Sequence, residues 1–97
     1  MSFDIGDKVK FYTDNNECDN LKYYVVAVKD KDVDKGTLKK LKSKLNVLNI
    51  DSILNLIRDH ESEFEYVICQ SHPAPSPIVI QHPNVKFVFE NNIVILL

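Results

Sequence analysis

The sequence predicts an α+β domain, because strand-like segments at both ends of the chain flank a helical middle. Apolar and polar residues alternate within residues 8–29 and 64–97, while leucines and isoleucines recur at helical spacing within residues 37–60. This segregation favours α+β over alternating α/β. We expect a single domain, residues 1–97, built on a bent antiparallel sheet of about five or six strands with two short helices inserted after strand 2.

Two strands are expected before the helices. Gly6-Asp7 is a turn signal, and Val9 and Phe11 then alternate with polar neighbours. A polar connection leads to residues 21–29, which are rich in β-branched and aromatic residues and nearly continuous in apolarity. The Gly6-Asp7-Lys8-Val9 opening resembles the first strand of small SH3-like barrels. The resemblance covers about the first thirty residues, implies a partly open barrel, and transfers no functional residue to this chain.

The helical insert, residues 37–60, is expected to hold two helices. Thr37 is the expected N-cap of the first helix, residues 37–45, and Asp51 is the expected N-cap of the second. Short helices are marginal alone, so both must dock on the sheet. Each helix has one apolar face, formed by Leu38, Leu41 and Leu45 in the first and by Ile50, Ile53, Leu54 and Ile57 in the second.

The chain returns to strands after the insert. Alternation predicts a strand at residues 64–69, and the proline-rich connection that follows cannot form a helix or a central strand. Further strands are expected at 78–81, 85–90 and 93–97, with Asn91-Asn92 as a two-residue hairpin turn before the last. The final three strands are expected to form an antiparallel meander.

Composition and charge narrow the class of protein. A net charge of −2 argues against coating nucleic acid or anionic membrane with the whole surface. We expect no membrane partner, because no apolar stretch approaches the ~20 residues of a membrane span. The chain also begins without a signal-peptide pattern. Two cysteines are too few for a disulfide framework, so we expect a cytoplasmic protein with reduced thiols.

The sequence carries the beginning of a calcium-loop pattern. Asp30-x-Asp32-x-Asp34 could supply hard oxygen ligands. However, Lys35 stands where that loop needs glycine, and Leu41 stands where it needs a bidentate glutamate. We therefore interpret this segment as a solvated charged loop.

The residues that a zinc site or a catalytic thiol would need are also only partly present. Cys69-x-x-His72 has the spacing of metal ligands, and Cys18 and His82 could complete a tetrahedron, but no second closely spaced pair is present. A nucleophilic Cys69–His72 pair would lack a glycine-rich oxyanion turn and an orienting third group. A small metal-dependent or thiol enzyme is thus the least favoured hypothesis, and we expect no enzyme and no cofactor.

Lysines give the strongest charge feature. Residues 29–44 hold seven lysines and three aspartates, a local charge of +4, whereas residues 51–65 hold five acids and Arg58, a local −4. A basic helix could contact phosphate or an acidic partner. The alternative, which we favour, is a solvated helix face whose lysines pair weakly with the acidic segment. No arginine lies in the basic segment to make bidentate contacts with bases or phosphates.

The leading functional hypothesis is a small non-enzymatic binding or adaptor module that engages another protein. Tyrosines on a common exposed face near the lysines could hold a peptide, although most aromatic residues should belong to the core. The apolar segment Ile93–Leu97 is either buried or a homodimer seam. The alternative function is nucleic-acid binding through the lysine-rich helix 37–45. The candidate binding residues are Tyr12, Tyr24, Lys39, Lys40, Lys42, Lys44 and Tyr66.

Overall fold

The computed structural model describes residues 3–18, 21–45, 50–60, 63–71 and 85–95. These residues form β1 (Lys8–Phe11), β2 (Tyr23–Val28), α1 (Lys35–Leu41), α2 (Ile50–Asp59), β3 (Tyr66–Gln70), β4 (Val85–Val88) and β5 (Ile93–Ile95). The chain also contains two 3-10 turns: one follows α1, at Lys42–Lys44, and the other precedes β5, at Glu90–Asn92. The predicted α+β class is confirmed, as an open sheet of five antiparallel strands with two helices. The strand predicted at 78–81 lies outside the described residues.

The strands are ordered β4-β3-β2-β1-β5 across the sheet. β5 pairs with β1, with Lys10 opposite Val94, whereas β4 pairs with β3. The prediction that the last two strands form a hairpin is therefore wrong. The first and last strands of the chain instead lie side by side.

The turn at Glu90–Asn92 explains this outcome. A two-residue hairpin turn needs positive φ at one or both of its central positions, but the described non-glycine residues with positive φ are Asn16 and Asp30. The Asn92 side chain instead accepts from the Phe89 N–H at 3.1 Å and donates to the Tyr12 carbonyl at 3.1 Å. The Tyr12 N–H donates to the Asn92 carbonyl at 2.7 Å. These bonds direct the chain away from β4 and onto β1.

Both helices begin earlier than the sequence pattern predicts. Asp34, not Thr37, is the N-cap of α1, because its carboxylate accepts from the Gly36 N–H at 3.0 Å. The Thr37 hydroxyl donates to the same carboxylate at 3.0 Å. α2 begins at Ile50, so Asp51 lies in its first turn, where a negative charge still favours the helix. No helix among the described residues is long and apolar enough to cross a membrane.

A β-bulge divides the side chains of β2 between two apolar clusters. The register against β3 shifts between Val25 and Ala27. As a result Val26 and Ala27 both face the helices, while Val25 and Val28 face the other way. We call the face that α1 and α2 cover the helix side of the sheet, and the other face the opposite side.

Packing on the helix side holds both helices to the central strands. Leu38 of α1 is fully buried there, beside Ile53 of α2 and Val67 and Cys69 of β3. The end of α2 is fixed on β4, because the His60 ring stacks on Phe87 with the ring centroids 4.4 Å apart. The helices therefore cover β2, β3 and β4.

The opposite side has its own core, closed by the segment before β1. Phe3 packs edge to face on Tyr66, with ring centroids 5.4 Å apart. Its N–H donates to the Tyr66 hydroxyl at 3.2 Å. Val9 of β1 and Ile93 of β5 are buried in the same cluster. Apolar side chains thus fill both sides of the sheet.

Candidate binding surface

Part of the helix side is left uncovered by the helices, at β1 and β5. Val9 and Ile93 are buried on the opposite side, so alternation directs their neighbours Lys8, Lys10 and Val94 to the helix side. Val94 is 53% exposed there. The uncovered strip of sheet therefore presents two lysines and an exposed apolar residue.

Tyr24 lies at the boundary between this strip and the helices. It pairs directly with Lys8 across β1 and β2. The Nζ atom of Lys8 lies 5.8 Å from the centroid of the Tyr24 ring, and the Nζ atom of Lys44 lies 5.9 Å from it. Both distances are within the range of a cation–π contact. We call Lys8, Lys10, Tyr24, Lys44 and Val94 the tyrosine–lysine face.

The 3-10 turn after α1 positions Lys44 over the sheet. The next residue, Leu45, is buried and forms a β-bridge with Ser71 just after β3. The Ser71 N–H in turn donates to the Lys22 carbonyl just before β2, at 2.8 Å. A buried side chain and a main-chain bridge therefore hold the lysine-bearing turn against the start of β2, close to Tyr24.

The lysines of the tyrosine–lysine face are not neutralised by the rest of the described chain. The ion pairs among the described residues join Lys31 to Asp4 at 3.5 Å and Lys35 to Asp51 at 2.9 Å. The hydrogen bond and charge of Lys35 lower the pKa of Asp51, and the charge of Lys39 adds to this. Pairing between the basic and acidic segments thus occurs at the start of α1, away from Lys44.

The predicted binding residues fall into separate groups. Tyr24 and Lys44 lie together on the tyrosine–lysine face, and Tyr12 is half-buried just after β1. Tyr66 is buried on the opposite side of the sheet, against Phe3. Three predicted lysines are exposed on α1 and on the turn that follows it: Lys39, Lys40 and Lys42.

Sequence reasoning did not include Lys8 and Lys10 in the candidate binding surface. The signal was present in β1 itself, since the alternation that buries Val9 and Phe11 must place the two lysines together on the other face. The missing information was that the helices stop short of β1. That boundary is a property of the tertiary packing.

A groove of about 530 Å³ lies at the other end of β2, between the loop before α1 and α2. Val33, Leu54 and Phe64 are among its apolar lining residues. Charged residues of both signs also line it, including Asp32 and Arg58. Its size suits a small ligand, but the mixed charge of the lining selects no class of ligand.

The described residues contain no group of three or more His, Cys, Asp or Glu side chains that could hold a metal ion. Asp34 of the calcium-like pattern is the cap of α1. Cys69 of the zinc-like pattern is fully buried, whereas Cys18 is half-buried. The histidines of that pattern, His72 and His82, lie outside the described residues.

Comparisons with protein-family models, with curated proteins and with solved structures found no significant match to this chain.

Proposed function

We propose that this protein is a small non-enzymatic binding module that engages another protein, in the cytoplasm, through its tyrosine–lysine face. The observation that carries the proposal is the position of Lys8 and Lys44, which both approach the ring of Tyr24 without an acidic partner among the described residues. This arrangement is built on the part of the sheet that the helices leave uncovered. The lysines would attract an acidic partner, and Tyr24 and Val94 add apolar area beside them.

A partly open, SH3-like barrel is the architecture that we propose for this module. The Nζ atom of Lys86 in β4 lies 4.9 Å from the Phe11 ring of β1, although β3 and β2 lie between those two strands. In a flat sheet the main chains of β4 and β1 would lie about 14 Å apart at the usual spacing between strands. Both side chains lie on the opposite side of the sheet and reach toward each other across the intervening strands. A bend of the sheet toward that side would shorten this reach, and such a bend is what a barrel-like shape requires.

The homodimer hypothesis concerns β5, which is the outermost strand of the sheet on the side of β1 among the described residues. Of its side chains, Ile93 is 4% exposed and Val94 is 53% exposed. Ile93 is therefore already buried within its own chain. Of these two side chains, Val94 is the one that a second copy could cover. Measuring the molar mass in solution at several concentrations tests this hypothesis.

Charge reversal tests the proposed protein-binding function. A Lys8→Glu/Lys44→Glu variant should lose the partner proteins that the wild type captures from a lysate of the native source, because two favourable charges become unfavourable. A Lys39→Glu/Lys40→Glu variant carries the same change in net charge on α1 and should retain them. Thermal melting of both variants checks that each is folded. Equal capture by the wild type and by the folded Lys8→Glu/Lys44→Glu variant would refute the proposal.

Nucleic-acid binding is the second candidate, because Lys39, Lys40, Lys42 and Lys44 are all exposed on one short stretch of chain. Such binding would weaken steeply with salt. The test is the retardation of single-stranded and double-stranded oligonucleotides at low salt. If retardation is present in the wild type and absent when all four lysines are changed to glutamate, the second candidate is supported. If the wild type causes no retardation, it is excluded.

A further inference from the structure

The backbone of β5 offers hydrogen-bonding groups at the edge of the sheet. In the described part of the chain β5 pairs with β1 alone. In an antiparallel pair of strands, hydrogen-bonded and non-hydrogen-bonded residue pairs alternate. Because the Tyr12 N–H donates to the Asn92 carbonyl, the next hydrogen-bonded pair along the ladder is Lys10 with Val94. Ile93 and Ile95 then direct their main-chain groups away from β1. The Ile93 N–H is taken by the Glu90 carbonyl, which leaves the Ile93 carbonyl and both main-chain groups of Ile95 facing outward.

We propose that an extended acidic segment of the partner protein adds to β5 as a sixth strand of the sheet. This inference rests on the proposed function and specifies its partner. Peptides that add to a sheet edge gain affinity from main-chain hydrogen bonds and specificity from alternate side chains. Here the outward main-chain groups of Ile93 and Ile95 would supply the hydrogen bonds, and the tyrosine–lysine face would select the side chains.

The position of Val94 and Lys10 defines the side chains that the added strand should carry. On the helix side, its side chains would stand beside Val94, about 5 Å away, with Lys10 one strand further. Glutamate is long enough to reach across to the lysine ammonium from there. On the opposite side, the neighbour is Ile93 of the apolar cluster, which favours a β-branched residue. The expected segment therefore alternates acidic and β-branched residues.

Two other occupants of this edge fit the surface less well. A second copy of the chain would bring its own β5, Ile93–Ile95, which carries no acidic residue to pair with Lys10. A nucleic acid cannot reproduce the alternating donors and acceptors of a strand, and the tyrosine–lysine face has no arginine for bidentate contacts. An acidic peptide satisfies both the backbone and the charge.

The test uses a fluorescent peptide of alternating valine and glutamate, and a second peptide that is N-methylated on the edge that would face β5. Binding is measured by fluorescence anisotropy. N-methylation removes the main-chain donors and should weaken binding about tenfold or more. Lys10→Glu should weaken binding of the unmodified peptide by a similar factor, whereas Lys39→Glu should leave it unchanged. On binding, the amide signals of Val94 and Ile95 should shift in NMR spectra of the labelled protein.

The outcomes separate this inference from the proposed function. Equal binding of the two peptides, with sensitivity to Lys10→Glu, would overturn strand addition and leave the acidic partner in place. No binding of the unmodified peptide would overturn the inference, and the lysate experiment would decide independently whether the protein-binding function also fails. Tighter binding of a single-stranded oligonucleotide at the same face, or a dimer whose β5 amides are protected from exchange, would also overturn it.

Discussion

Replacing Tyr66 with phenylalanine tests the structural role of a residue that sequence reasoning placed among the binding residues. The substitution removes only the hydroxyl that accepts the Phe3 N–H at 3.2 Å. The edge-to-face ring pair between residues 3 and 66 is retained. Both residues are buried, at 5% and 6% exposure. A buried donor left without an acceptor costs about 1–2 kcal/mol, which in a domain of 97 residues lowers the melting temperature by roughly 5–15 °C.

The assay is thermal unfolding followed by circular dichroism, with Tyr24→Phe as the matched control. The Tyr24 hydroxyl makes no hydrogen bond among the described residues, and its ring is half-buried, so that variant should stay within about 0.5 kcal/mol of the wild type. Hydrogen exchange at the Phe3 amide should also become faster in Tyr66→Phe. An unchanged melting temperature together with reduced partner binding would refute the reasoning, because it would make the Tyr66 hydroxyl part of the binding surface.

Two further predictions concern α1. Leu38→Ala should destabilise the protein by about 3 kcal/mol, because Leu38 is fully buried between the helices and the sheet. Chemical denaturation checks this value. Lys40→Ala, at an exposed position of the same helix, should leave the free energy of unfolding nearly unchanged. Equal losses of stability in the two variants would contradict the packing of α1. Hydrogen bonds from the Gly36 N–H and the Thr37 hydroxyl lower the pKa of Asp34. Its carboxylate therefore stabilises the folded state above the unfolded-state pKa, and this contribution is lost as the pH falls through the lowered value. Asp34→Asn keeps a capping oxygen but no charge, so its melting temperature should lie below that of the wild type at neutral pH. The difference should shrink as the pH falls below the ordinary aspartate pKa of 3.8. A constant difference across the pH range would show that the charge is irrelevant.

The sequence pattern alone was sufficient to predict the helices and strands whose apolar residues recur with a clear period. Alternation at Val9 and Phe11 located β1, and the β-branched run of β2 was found with both of its faces buried. The spacing of Ile50, Ile53 and Ile57 located α2 and its buried face. In each case the residues that set the pattern are buried in the core or, like Phe11, packed against it, so sequence and packing carry the same information.

Choices between competing local partners were not predictable. Asp34 and Thr37 can both cap a helix, and here the aspartate caps while the threonine hydroxyl donates to it. Asn91-Asn92 is typical of a hairpin turn, but the side chain of Asn92 bonds to Tyr12, which lies 80 residues away in sequence. The tyrosine–lysine face depends on the same kind of long-range contact, because Lys8 and Lys44 meet at Tyr24 only after β1, β2 and the turn after α1 have packed.

The pairing of β1 with β5 has a consequence for the order in which the molecule assembles. The partners Lys10 and Val94 are 84 positions apart (94 − 10). Closing a loop of this length costs conformational entropy before any contact repays it, and pairings at such distances slow folding. β2 and β3 are joined through the helices and can meet earlier. The β1–β5 ladder is therefore expected to form last and to be the first part of the sheet to open. The strip of sheet that carries Lys10 and Val94 would then exist only in the fully folded protein, so a partially folded chain would not yet carry the proposed binding surface.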